Sequence, residues 1–535
     1  MCAVASIPRA VVDWLRQYAS ADAHLRVDSR AVVAGDVFVA LRGRNIDGRR
    51  YIEQAFAQGA VAALVDETPD AALAGATALE GICGSPAEDR RLPVAGLAGM
   101  IGAIAAEFYG HPGDRLLMVG VTWTNGKTSS CQWIADGLER AGRRCGLIGT
   151  LGCGFPGDLH TDGPQLTTPD AASLQRTLRD LLAGGARAVA MEVSSIGIDQ
   201  RRIDATPFDI GLFTNLTRDH LDYHGDMESY AAAKRRFLHW PTLSHVVLNL
   251  DDEFGRRTAA ELVRRGSRVT GFGTREEHVA MHGMAASLWA EDITHHASGL
   301  RFRIRYRRTE RGTAADVEDV VVTAALVGDF NVANLLGVAG VLLACELPLA
   351  AVAEALRGLR PPPGRMQFVE AGDGASPGDG APLVVVDYAH TPDAIAKALQ
   401  ALRPLAEVRS GQLRIVFGAG GDRDRGKRPL MGAAASRGAD AIVLTSDNPR
   451  GEDPGRILDE IAAGVAPGTP LWRDVDRAAA IDAAIRAAQP CDVVLIAGKG
   501  HEDYQEIGGR RLPFSDLETA GAALAARGSS AERSR

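Results

Sequence analysis

The chain has 535 residues, too many for one hydrophobic core, so about three or four folding units are expected. Its composition, 46% apolar and 24% charged with a formal net charge of -8, is that of an ordinary globular protein and excludes both a disordered chain and the basic footprint of a nucleic-acid binder. The seven scattered cysteines, never in a CxxC pair, read as reduced thiols and not as a disulfide framework or a zinc site.

In chain order, short β-like runs at Val32–Leu41, Ala60–Val65 and Pro93–Leu97, with a helical pattern at Tyr51–Gln58, predict a small α/β unit. A break follows at Tyr109-Gly110-His111-Pro112-Gly113-Asp114. The apolar run Leu116–Val121, a polar turn and a helical stretch Lys127–Ala141 then give the strand-loop-helix order of a nucleotide-binding unit. Further runs at Ala188–Val193, Ile210–Phe213, Val246–Leu250 and Val269–Phe272 predict a mostly parallel sheet covered by helices. Between Ala285 and Val322 the pattern becomes β-rich, and the charged run Arg303–Arg311 reads as a solvated edge or loop without chemistry. Helical patterns at Asn331–Leu347 and Ala350–Leu359 precede a second boundary at Pro361-Pro362-Pro363-Gly364. After the Gly/Pro/Ser-rich stretch Gly372–Pro382, a third α/β unit has strands near Leu383–Val386, Ile415–Phe417, Ala441–Leu444 and Val493–Ala497, and Gly528–Arg535 reads as a frayed tail. The expected division is 1–110, 111–360 and 361–535. No run approaches the ~18 uncharged apolar residues of a membrane helix, and the N-terminus lacks a basic segment followed by an apolar run. No membrane insertion, no nucleic-acid partner and a cytoplasmic location are expected.

The chemistry begins at Thr122-Trp123-Thr124-Asn125-Gly126-Lys127-Thr128. A loop ahead of a helix N-terminus offers unpaired N–H groups to phosphate oxygens, Lys127 can offset β/γ-phosphate charge, and the Thr128 hydroxyl can ligate Mg2+.

At these residues the chain resembles the Mur ligase family, whose loop reads Gly-Thr-Asn-Gly-Lys-Thr. The resemblance extends through Asp28-Ser29-Arg30, Thr167-Thr168-Pro169, Glu192-Val193-Ser194-Ser195, Thr214–Asp222, Gly328–Asn334, Asp387–Pro392, Gly420–Asp424, Asp447-Asn448-Pro449-Arg450 and Gly498–Glu502, all in the family's order. It implies a three-domain α/β architecture: a small N-terminal uridine-nucleotide domain, a central P-loop ATPase domain with a mostly parallel sheet, and a C-terminal Rossmann-like domain. The implied activity is ATP-dependent amide formation through an acyl phosphate, with ATP and Mg2+ required.

By the same resemblance Thr124, Asn125, Gly126, Lys127 and Thr128 cradle ATP, and Asn331, His390 and Asp393 contact adenine and ribose. Thr128 and Glu192 hold the ATP-bound metal. His220 and Lys234, the latter as a carbamylated lysine, hold a second Mg2+, although Lys234 beside Arg235 and Arg236 also reads as part of a basic solvated helix face. Lys127, Glu192, His220 and Lys234 are thus the implied catalytic set. Ser29, Asn45, Thr167, Thr168, Ser194, Gln200 and Arg202 match contacts to a UDP-muramoyl-dipeptide. Arg423, Asp447, Asn448, Pro449, Arg450, Gly498 and Glu502 match contacts to the incoming amino acid. Arg450 points to meso-diaminopimelate, because a guanidinium pairs with its distal carboxylate and repels the ammonium of lysine. A monomer is expected.

Three positions depart from the family pattern. Trp123 stands at the first loop glycine, where an indole supplies neither positive φ nor close backbone approach, so weakened ATP binding is expected. Ile196 stands where histidine is common, and Arg44-Asn45-Ile46 matches only loosely. Two competing readings are a binding relative silenced at Trp123 and a folylpolyglutamate synthase-like ligase.

Overall fold

The computed structural model describes residues 2–43, 46–67, 90–124, 126–160, 166–217, 219–296, 299–310, 313–369 and 380–532. Three principal sheets organise them. The first is four-stranded and parallel, in the order Leu25–Arg26, Val37–Ala40, Ala62–Glu67, Arg91–Ala95. Alternate side chains serve two small cores: Val37 and Val39 join the helices Cys2–Leu15 and Leu97–Phe108, while Phe38 and Ala40 join the helix Ile52–Ala57. The strand expected at Pro93–Leu97 ends at Ala95, and Gly96, at φ +68°, turns the chain into a helix that the sequence pattern did not predict.

The second sheet carries the parallel series Arg268–Gly273, His245–Asn249, Ile210–Phe213, Leu117–Thr122, Ala188–Glu192, Cys145–Gly149. The first of these strands in the chain, Leu117–Thr122, lies between two later ones, which makes its carboxyl end a topological switch point. Ala286–His296 continues the sheet parallel to Arg268–Gly273, and Gly299–Glu310 and Glu318–Ala324 extend it with antiparallel pairings. The run Arg303–Arg311 is therefore no edge or loop as far as it is described: most of it lies in a strand paired on both sides. Leu300, Phe302 and Ile304 fill the core, while Arg303 and Arg305 face Asp292, Glu291 and Asp319 on the other side. The helices Asp329–Ala344 and Leu349–Leu356 contribute to the same core.

The third sheet has the order Gln367–Phe368, Leu383–Asp387, Val493–Ala497, Leu413–Phe417, Ala441–Leu444, Leu471–Arg473, parallel except for the first pair, with apolar clusters on both faces. Most of the stretch Gly372–Pro382 lies outside the described residues. The expected frayed tail is instead partly helical: the backbone of the helix Asp516–Glu532 continues through Gly528. Among the described residues no helix is long and apolar enough to cross a membrane.

Candidate functional site

A cavity of about 480 Å³ opens at the switch point. Its central wall begins where Leu117–Thr122 gives way to the helix Lys127–Arg140. Gly126 sits at φ +99°, a conformation that favours glycine, and a Cβ there would approach the Asn334 amide tightly, at 3.2 Å. Asn125 lies outside the described residues. Lys127 Nζ donates to the carbonyls of Trp123 (2.9 Å) and Thr124 (3.2 Å). Lost hydration lowers its pKa, while Glu192 and Asp219 oppose that shift. The Thr124 hydroxyl ties the loop to Thr217 and to the Tyr230 hydroxyl, and Thr128 lies buried in the first helical turn.

Trp123 departs from expectation. Its indole is fully buried in the core with Val121, Trp133, Ile134 and Leu335, and its φ is not in the left-handed region. The side chain thus turns into the core, and only its carbonyl serves the loop. That carbonyl also accepts from Lys234 Nζ at 2.7 Å. Lys234 is consequently not on the solvated face: it is 1% exposed, and its Nζ lies 4.8 Å from the centre of the Tyr230 ring. Burial, reinforced by the positive charge of Lys127, pushes its pKa well below that of an ordinary lysine. Its neighbours Arg235 and Arg236 do face outward, paired with Glu261 and Asp199.

Glu192 ends its strand 2% exposed. Its carboxylate accepts from the backbone N–H (2.8 Å) and hydroxyl (3.2 Å) of Thr150, which in turn meets the Thr167 hydroxyl at 3.1 Å. His220, at φ +52°, lines the cavity with Asp219, and its ring lies 6.1 Å from that of Tyr230. Among the described residues no group of three His, Cys, Asp or Glu side chains forms a protein-only metal cage. A single carboxylate beside a threonine hydroxyl and a phosphate loop suits Mg2+, which is commonly held by one or two carboxylates together with substrate phosphates and water.

The opposite wall belongs to the third sheet. His390 is held by the Tyr388 carbonyl at 2.8 Å, and burial, followed by the charge of Lys427, lowers its pKa. On the central unit's side, in the helix Asp329–Ala344, Asn331 bonds Val327 O and Asn334, placing both amides at the cavity. Asp393 pairs with Lys397, which lines the cavity, while Asp393 itself is not among the lining residues. Asp387 and Arg365 are among the lining residues to which the sequence reading gives no role. Asp387 accepts the N–H groups of Met366 and Ala389, with burial raising its pKa against the pull of Arg365. Arg365 stacks 4.4 Å from the Tyr388 ring centre, and among the described residues its buried Nε has no hydrogen-bond partner. The run Pro361–Gly364 read only as a boundary, yet a cation on a stiff connection between two units lies where an interdomain ligand would pass.

Thr168, Ser194, Gln200 and Arg202 form one network. The buried Thr168 hydroxyl bonds Glu192 O and Ser194 Oγ, Ser194 caps the helix Ser195–Asp199, and Arg202 reaches Gln200 Oε1 and Thr168 O. Ser29 sits in a tight turn beside the first sheet, and Asn45 lies outside the described residues.

The incoming-amino-acid candidates gather at the carboxyl ends of Ala441–Leu444 and Val493–Ala497. Arg450, at φ +52°, donates from Nη1 to Gly421 O (2.8 Å) and pairs through Nε with Glu506 (3.3 Å), while Arg423 is exposed nearby. Asn448 Nδ2 donates to Glu502 Oε2 at 2.9 Å. Gly498, at φ +120°, leaves room for Asp447, whose carboxylate would lie 3.1 Å from a Cβ. Behind them a fully buried Arg477–Asp516 pair donates to Ser446 O and Ala497 O, fixing the two strand exits.

Three family models match: the Mur ligase family catalytic domain over residues 23–109, the Mur ligase middle domain over 121–342, and the Mur ligase glutamate ligase domain over 364–500. A protein of Ralstonia nicotianae named UDP-N-acetylmuramoyl-L-alanyl-D-glutamate--2,6-diaminopimelate ligase is 48% identical, the match covering 97% of this chain and 96% of that one. A Pseudomonas aeruginosa protein of the same name is 46% identical, with 94% and 95% covered. A solved structure of an enzyme with this name aligns at TM-score 0.61 and 32% identity, covering 94% of this chain and 95% of that one. The MurF ligase of Thermotoga maritima in complex with ADP has the same fold at TM-score 0.61 and 16% identity, with 96% and 99% covered.

Proposed function

The chain belongs to the Mur ligase family, and from that premise we propose that it joins meso-diaminopimelate to UDP-N-acetylmuramoyl-L-alanyl-D-glutamate at the expense of ATP. The observation that carries the reading is the meeting, in one cavity, of the phosphate loop, Glu192 and His220 from the central sheet with Arg365 and His390 from the third.

The glutamyl carboxylate attacks the γ-phosphorus and ADP leaves, giving an acyl phosphate. The amine then attacks the acyl carbon, loses a proton, and inorganic phosphate departs. In this reading Lys127 leaves the Trp123 carbonyl to meet phosphate oxygens, and Arg365 brings a second cation from the opposite wall. Thr128 and Glu192 would hold the ATP-bound Mg2+, with His220 and a carbamylated Lys234 at a second. Bound Mg2+ supplies neutralisation of the developing phosphoryl charge. Burial suits Lys234 to carbamylation, because a neutral amine is the form that adds CO2. Thr167, Thr168, Ser194, Gln200 and Arg202 bind the nucleotide substrate, together with Ser29 and Asn45. Arg450 receives the distal carboxylate of diaminopimelate and Glu502 its distal ammonium, with Arg423, Asn448 and Gly498 as further contacts. A silenced relative loses its physical basis, since the Trp123 indole does not enter the cavity. We also assign division at residues 110 and 360, a monomeric state and a cytoplasmic location.

The test is product formation from ATP and UDP-muramoyl-dipeptide with meso-diaminopimelate or L-lysine. A tripeptide product with diaminopimelate alone is expected. No product, or a preference for lysine, would overturn the assignment.

A further inference from the structure

We propose that Lys499 is a positioning residue for the incoming amino acid, acting through Asn448 and Glu502. The proposal rests on the amino-acid site assigned above. Lys499 follows the strand Val493–Ala497 by two residues, and its side chain is fully buried. Its Nζ donates to Asn448 Oδ1 (3.0 Å) and Glu502 Oε2 (2.9 Å), with Asp447 Oδ1 at 3.8 Å. A buried ammonium is costly unless its donors and its charge are matched; here Asn448 and Glu502 accept two of its donors, and the carboxylates of Glu502 and Asp447 match its charge.

The network dictates the direction of each partner. Asn448 Oδ1 accepts from both Lys499 and the Glu506 N–H (2.9 Å), so its Nδ2 must turn to Glu502 Oε2, where it donates at 2.9 Å. Glu502 Oε2 therefore receives two donors. Among the described residues Oε1 makes no hydrogen bond, and this is the oxygen left for an amino acid's ammonium. Without Lys499 the carboxylates of Asp447 and Glu502 would lose the ammonium that lies against both, leaving the Arg477 guanidinium, already paired with Asp516, to offset their repulsion. Glu502, whose side chain is 17% exposed while that of Asp447 is 9% exposed, is the one free to swing outward. Lys499 thus holds a carboxylate in place for the ligand without touching the ligand.

The experiment compares the full-length parent, Lys499→Met, Glu502→Gln and the double variant. Crystal structures of the parent and Lys499→Met report the side-chain positions independently of turnover. The Glu502 carboxylate is expected to leave Asn448 Nδ2 while the backbone stays. In kinetics, Lys499→Met should raise KM for diaminopimelate about ten-fold or more and leave KM for ATP within about two-fold. Added to Glu502→Gln, it should raise KM by less than about three-fold, because the partner is already lost. If Lys499→Met does not fold, Lys499→Gln, which keeps an amide donor but no charge, takes its place in every comparison. An unmoved Glu502 in the variant crystal, or effects on KM that multiply, would overturn the proposal. A parent that ligates no diaminopimelate overturns the assigned function instead, and the crystallographic comparison still decides the role of Lys499.

Discussion

Replacing Trp123 by glycine restores the residue common in the family's loop, and from sequence alone this should improve ATP binding. The structure reverses that expectation. The indole is fully buried, so its removal leaves a cavity beneath the phosphate loop, and truncations of this size cost about 3–5 kcal/mol. Glycine adds roughly 0.5–1 kcal/mol in backbone freedom at the segment whose carbonyl receives Lys127 and Lys234. Trp123→Phe should cost far less: among the described residues Nε1 has no partner, so its loss removes an unsatisfied donor worth about 1–3 kcal/mol against a smaller void. A chain with several cores does not unfold in one step, so the readout is hydrogen exchange of the helix Lys127–Arg140 together with KM for ATP. Trp123→Gly should lose protection there and raise KM, with Trp123→Phe close to the parent. Unchanged protection with an equal or lower KM for ATP would refute the packing argument.

Arg450→Ala should weaken the preference for diaminopimelate over lysine by about 2–5 kcal/mol in competition assays, and Arg450→Lys should rescue poorly because the forked geometry is lost. Lys234→Ala should abolish most ligation while the protein still folds, with partial recovery on adding short-chain carboxylic acids; near-normal turnover would remove Lys234 from the metal site. Burial holds His245 at about 4 in the fold against 6.5 unfolded, so the unfolded chain takes up the proton first. This contribution to the stability of the central unit is then intact above pH 6.5, falls by roughly 3 kcal/mol on going down to pH 4 and levels off below, a limb that His245→Gln should flatten in hydrogen exchange of the strand His245–Asn249.

The parallel strands were readable because strands buried on both faces are continuous apolar runs, as at Ala188–Glu192 and Ile210–Phe213. Leu97–Phe108 escaped notice for a related reason: a helix of mostly Ala, Gly and aliphatic residues, largely buried, shows little polar face to set its period. The Arg303 strand carried its signal in the alternation of Leu300, Phe302 and Ile304 with arginines, which the charge run obscured. Lys234 was misplaced by its neighbours Arg235 and Arg236, yet it shares the buried face of Tyr230 and Phe237 at helical spacing, and that phase is visible in the sequence. The loop motifs located the cavity's central wall. Arg365 and Asp387 could not be placed there without knowing that two sheets meet at it.

Why so many distant residues converge follows from strand order. Leu117–Thr122 lies between Ile210–Phe213 and Ala188–Glu192, all three parallel, so their carboxyl ends open on the same edge. The first delivers Lys127 and Thr128 through a helix N-terminus, the second delivers Asp219 and His220 through its exit loop, and the third ends on Glu192 itself. Neighbouring strands lie about 4.8 Å apart, so the three exits fall within roughly 10 Å whatever the length of chain between them. The residues that face them from the third sheet are tied to the amino-acid site as well. A Cβ on Gly364, beside Arg365, would lie 2.1 Å from the backbone nitrogen of His501, and the ring of His501 lies 5.3 Å from that of Tyr388. The segment 498–502 that carries Glu502 therefore packs directly against the connection carrying Arg365, so the candidate amino-acid contacts and the cavity share one packed contact.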